Sequence, residues 1–123
     1  LSTAFPPGVA PYKHTHFNHP CNVWMRTSLS NYRWLLVHGL ELCAEYTRRY
    51  GRVHKTETKA FDWFLDNEPD MKDIGPTPFA VAIKNKRYHM VSVVDSYRAY
   101  YIGDKARFAK WQPRAQEPSW WPL

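Results

Sequence analysis

Residues 28–51, SLSNYRWLLVHGLELCAEYTRRYG, constrain this chain more than any other stretch. Leu35, Leu36, Gly39, Leu40, Cys43, Tyr46 and Tyr50 recur at the spacing that puts side chains on one face of an α-helix. Ser28 or Ser30 is suited to cap the start. Gly51 stands where a helix takes a left-handed residue, and Arg48 and Arg49 fall in the last turn, where cations suit the helix dipole. Gly39 weakens a helix interior by up to ~1 kcal/mol, so its presence points to a close crossing.

The segments around it follow the same period. NHPCNVWMRTS (18–28) reads as a short helix with Pro20 at its first position and Asn18 or His19 as cap, Val23 and Trp24 facing the core. HKTETKAFDWFLDN (54–67) reads as another, capped by Thr56 or Thr58, with Ala60, Phe61, Phe64 and Leu65 as its apolar stripe. SVVDSYRAYYIGDKARFAKW (92–111) opens on an S-x-x-D capping box and carries Val94, Tyr97, Tyr101, Phe108 and Trp111 toward one face, with Gly103 as an interruption. Residues 1–18 hold three Pro and one Gly, as do residues 68–78; both are connections. Residues 79–91 are expected to be irregular, with a short helical turn. The tail QPRAQEPSWWPL (112–123) is punctuated by Pro, and its Trp120 and Trp121 are expected to dock on the body. The fold class is therefore all-α: a compact bundle of three to four helices with long Pro-rich connections, in a single domain over 1–123.

Charge is unevenly spread. Residues 1–59 carry 8 Lys/Arg against 3 Asp/Glu, residues 60–83 carry 1 against 5, and residues 84–123 carry 8 against 3. Two basic blocks rich in Tyr and Trp suit nucleic acid, because cations neutralise phosphates and ring faces stack on bases. Arg48, Arg49, Arg52, His54 and Lys55 crowd one helix end, and Glu45 is an expected ion-pair partner there. Cys21 and Cys43 are too few for a disulfide framework, which points to a reducing, cytoplasmic setting. No apolar run approaches the ~18 residues of a membrane span. Nucleophile elbow, Gly-rich phosphate loop, HExxH and deaminase motifs are absent from the sequence.

Half of the six histidines, His14, His16 and His19, stand in YKHTHFNHP (12–20). With Cys21 they fall short of the usual zinc-ligand pattern, so no metal and no cofactor is expected. They read first as loop and cap residues, with phosphate or base contact as the functional alternative.

Two segments resemble a known family. NHPCNVWMRTSLSNYRWLLVHGLELCAEYTRRYG is similar to the second-helix region of the pyrimidine-dimer DNA glycosylase (endonuclease V type) superfamily, in its phage and marine-virus branch. SYRAYYIGDKARFAKW with the later PSWW resembles the C-terminal helix and aromatic tail of that group. The resemblance implies an all-α DNA-binding fold in a phage-infected or bacterial cell. It also implies a base-excision chemistry in which an amino-terminal amine attacks the sugar and a first-helix Glu assists. LSTAF reads as the end of that first helix, so both catalytic groups would precede Leu1. A glycosylase/AP lyase-like activity would then need the missing segment.

The nucleic-acid-binding residues expected on these grounds are His16, His19, Arg26, Arg49, His54, Lys55, Arg98, Tyr101 and Lys105. The expected partner is DNA or a nucleotide. The alternative is a non-enzymatic interaction module that forms a homo-oligomer through its aromatic tail.

Overall fold

The computed structural model describes residues 1–111 and 115–122; residues 112–114 of the Pro-punctuated tail, and 123, lie outside the described residues. The chain is helical, and no strand occurs among the described residues. Its contacts group into two compact units, Leu1–Pro78 and Phe79–Leu123.

In the first unit, α1 (Pro20–Thr27) and α2 (Leu29–Tyr50) are separated by Ser28 alone. Its extended backbone, φ −154° and ψ 145°, breaks the helical path and turns the chain. Pro20 takes the first position of α1, and His19 caps it by accepting the Cys21 N–H on Nδ1 at 3.1 Å. Gly51 closes α2 in the left-handed region at φ 68°. The cap of α2 comes from elsewhere. Asp73 Oδ1 accepts Ser30 N–H at 3.2 Å, Ser30 Oγ at 2.6 Å and Ser28 Oγ at 3.1 Å. Ser28 Oγ in turn accepts the Ile74 N–H at 3.1 Å. So Ser28 occupies the capping position while a carboxylate 45 residues away makes the capping bond.

Those bonds, with the Gly75 N–H at 3.0 Å, hold the Asp73 carboxyl well below the ordinary carboxylate range, at about 2; the Ser30 hydroxyl is the largest cause. Asn31, fully buried, is a second tie. Its Nδ2 donates to Trp24 O at 2.8 Å and Thr77 Oγ1 at 2.7 Å, and its Oδ1 accepts the Thr77 N–H at 3.0 Å. The Pro-rich stretch 68–78 is thus laid against the α1–α2 corner mostly by side chains, with one backbone bond from the Leu29 N–H to Lys72 O at 3.1 Å.

The core of this unit joins Phe5, Met25, Leu29, Tyr32, Ala60 and Phe64. Phe5 carries the amino-terminal loop into it, edge-on to Trp63 at 4.9 Å and to Tyr32 at 6.1 Å. Met25, not Val23, is the α1 residue that is buried; Val23 is exposed. Tyr32 is buried, and its hydroxyl has no hydrogen-bond partner among the described residues. Burial, with a smaller push from the Glu68 charge, moves that hydroxyl up to about 12.

The helix after Gly51 begins beside His54, whose Nδ1 accepts the Thr56 N–H at 3.1 Å. It runs as a π-helical turn, Glu57–Phe61, into α3 (Asp62–Asp66). The Asp62 N–H reaches back to Glu57 O, five residues away, and this wider turn shifts the register by one residue. Ala60, Phe61 and Phe64 keep the inner face, while Leu65, expected with them, is 57% exposed. The Phe61 ring lies directly on Gly39: a Cβ there would stand 2.3 Å from Phe61 Cζ. The expected close approach is real, and its partner is a ring.

The second unit is built on α4 (Val93–Tyr100), which continues through a π turn, Tyr101–Lys105, into a 3₁₀ turn, Ala106–Phe108. Ser92 Oγ accepts the Asp95 N–H at 3.3 Å, the expected cap. Residues 79–91 are irregular apart from the 3₁₀ turn Lys86–Tyr88. Polar bonds hold them: the Tyr97 hydroxyl donates to Ala80 O at 2.8 Å and accepts the Ala82 N–H at 2.9 Å. Ser96 is fully buried and accepts the Met90 N–H at 2.8 Å. Tyr88, buried, sits against Gly103, where a Cβ would come within 2.5 Å of its ring. The interruption expected at Gly103 is therefore a packing contact inside a π turn. Val94, Tyr101 and Phe108, expected on a core face, are exposed, since Ser96 takes the buried side and the π turn rotates the residues beyond it.

Candidate nucleic-acid interface

The nine residues expected to contact nucleic acid fall into three groups. At the mouth of α1, His16 adopts a left-handed backbone, φ 50°, and its carbonyl accepts the His19 N–H at 2.9 Å and Asn22 Nδ2 at 2.7 Å. These bonds tie the loop to the helix it precedes. Arg26 donates to Thr3 Oγ1 at 3.1 Å and Phe17 O at 2.7 Å, with its guanidinium 3.6 Å from the Phe17 ring centroid. It works as a clamp between α1 and the amino-terminal loop. His14 has a similar part, bonding Phe5 O through Nε2 at 2.9 Å. Among the described residues, no group of three or more His, Cys, Asp or Glu is placed to hold a metal ion.

At the far end of α2, Arg49 Nε donates to Glu45 Oε1 at 2.7 Å, and Arg48 pairs with the same carboxylate. The expected ion pair is present, and those two arginines hold the Glu45 carboxyl below its ordinary value, the Arg49 hydrogen bond being the largest cause. His54 stands edge-on to Tyr46 at 4.7 Å, and Lys55 is exposed at the start of the next helix.

A cleft of about 250 Å³ in the first unit is lined by neighbours of the expected residues, among them Tyr12, Lys13, Thr15, Asn22 and Thr56. The Tyr12 hydroxyl meets Thr56 Oγ1 at 3.4 Å, and Lys59 Nζ lies 5.2 Å from the Tyr12 ring centroid. The sequence offers Thr56 only as a helix cap and Tyr12, Lys13 and Thr15 only as part of a loop, because loop threonines and a lone tyrosine carry no spacing signal for a cleft.

The third group lies in the second unit, where Tyr101 and Lys105 share a trough of about 370 Å³ with Phe108, Trp111, Trp120 and Trp121. The tail's two tryptophans fold back as expected: Trp121 is 5.4 Å from Trp111 and 5.6 Å from Trp120, both edge-on. Cations sit on these rings. Arg98 is 5.3 Å from the Trp120 centroid, Arg107 is 4.5 Å from Phe108, and Lys105 is 5.3 Å from Tyr100 and 5.9 Å from Phe108. Phe108, assigned to the core from its spacing, is 62% exposed and forms part of this wall. The i, i+4, i+7 step from Tyr101 through Lys105 to Phe108 was visible in the sequence. Reading it as a surface required knowing that a π turn stands between.

No family model matches this chain, and no curated protein and no solved structure matches it. Both cysteines are free, and no helix among the described residues is long and apolar enough to cross a membrane.

Proposed function

We propose that this chain is a nucleic-acid-binding helical domain, similar to the glycosylases of base-excision repair, whose partner is DNA or a nucleotide. The observation that supports this reading is the second unit's surface, where Arg98, Lys105 and Arg107 lie on the rings of Trp120, Tyr100 and Phe108. A cation on a ring face is less strongly hydrated than one in water and keeps its charge available to a phosphate, while neighbouring ring faces offer stacking surfaces. Carboxylates are scarce there: residues 79–123 carry 8 Lys/Arg against 3 Asp/Glu.

Fluorescence anisotropy against labelled DNA at two salt concentrations tests the proposal. If Arg98, Lys105 and Arg107 each neutralise one phosphate, log affinity falls against log salt with a slope of about −2 for a single strand. Absence of binding at low salt sinks the reading.

A second reading, a self-associating module without enzymatic activity, has its own support in α2. Trp34, Val37 and Leu42 are large apolar side chains exposed along that helix. Light scattering decides it: a monomer at every concentration leaves this reading without a basis.

A further inference from the structure

We infer that the aromatic trough of the second unit takes unpaired bases of a single-stranded nucleic acid, an inference that rests on the nucleic-acid reading above. The walls are ring faces and edges: Tyr101, Phe108, Trp111, Trp120 and Trp121, with Lys105 among them. A paired duplex hides the faces of its bases in the stack and shows only groove edges and phosphates. A trough of rings therefore gains little from a duplex and much from bases whose faces are free. Its volume, about 370 Å³, lies within the roughly 300–1,000 Å³ range of sites that enclose a small flat ligand.

Charge selects the occupant. Arg98, Lys105 and Arg107 border the rings. A second copy of this chain docking by the same trough would bring like charges together, whereas a polyanionic strand meets them with opposite charge. The backbone then runs along the cations while successive bases enter between Phe108 and Trp120. Because every base has a ring face, the trough is tolerant of sequence.

The test uses the full chain and two fluorescent probes, a 12-nucleotide oligo-dT and a hairpin duplex of equal charge. Oligo-dT is expected to bind at least tenfold more tightly and to quench tryptophan fluorescence. Trp120→Ala should weaken oligo-dT binding by roughly 5- to 150-fold, the range found for loss of one stacking ring, and Trp120→Phe should restore most of it. Phe108→Ala, at an exposed side chain whose loss leaves packing intact, should weaken it in the same way. Equal affinity for both probes, unaffected by either alanine variant, overturns the inference and leaves general nucleic-acid binding standing. Binding to neither probe at low salt removes both. A dimer that Trp120→Ala dissociates would assign the trough to self-association and overturn the inference as well.

Discussion

Gly39→Ala isolates the contact between α2 and the helix that comes after it. In a helix interior that exchange is worth up to ~1 kcal/mol of stability from backbone entropy alone. Here the new methyl would stand 2.3 Å from Phe61 Cζ and 2.4 Å from Cε1, far inside contact distance. To admit it the ring must move, and Phe64 stands edge-on to that ring at 6.1 Å. Overpacking of this kind costs about 1–3 kcal/mol, so the net change is a destabilisation of about 0–2 kcal/mol. Phe61→Ala removes the obstacle. In that background the same Gly39→Ala exchange should stabilise by up to ~1 kcal/mol, giving a coupling of about 1–3 kcal/mol. Urea unfolding of the four proteins, monitored by far-UV circular dichroism, measures it. If Gly39→Ala has the same effect whether residue 61 is Phe or Ala, the ring does not lie on the glycine and the register given by the π turn is wrong.

Asn31→Ala removes the bonds that Nδ2 gives to Trp24 O and Thr77 Oγ1 and the one that Oδ1 accepts from the Thr77 N–H, so a loss of about 2–4 kcal/mol is expected in the same unfolding assay. Two tyrosines should answer the loss of a hydroxyl with opposite signs. Tyr97→Phe breaks bonds to Ala80 and Ala82 and should cost about 1–2 kcal/mol, whereas Tyr32→Phe removes a buried hydroxyl with no partner and should be neutral or stabilising by thermal melting. Asp73 has its folded value at about 2, below the ordinary 3.8, so its contribution is complete above roughly pH 4 and disappears as pH falls through 2. Asp73→Asn should flatten that part of the acid-denaturation curve; an unchanged curve would show that the carboxylate does not cap α2.

The helical elements were legible because their signals are local. Pro20 and Gly51 marked ends that the structure keeps, the Ser92 cap forms as its spacing implies, and the period of α2 survives in Cys43 and in the half-buried Leu35, Leu36 and Leu40. The illegible features were non-local or broke the 3.6-residue period. Both π turns displaced an assigned face, Leu65 outward in the first unit and Phe108 outward in the second. The cap of α2 came from Asp73, in a stretch whose composition says only that it is not helical. Of the expected site, Tyr101 and Lys105 line one trough with the tail tryptophans. Arg26 is engaged by Thr3 and Phe17, and Arg49 by Glu45, partnerships that a residue count cannot reveal.

A stretch with three prolines and a glycine invites treatment as a tether, fit to be cut or lengthened. Residues 72–77 behave otherwise in this molecule. Leu29 N–H is held by Lys72 O at 3.1 Å, and the amides of Ile74, Gly75 and Thr77 are each held by a side chain of residue 28, 73 or 31. Their deuterium uptake should therefore run at the slow pace of the first turns of α2, and a protease that prefers flexible loops should leave this segment whole until that helix itself opens.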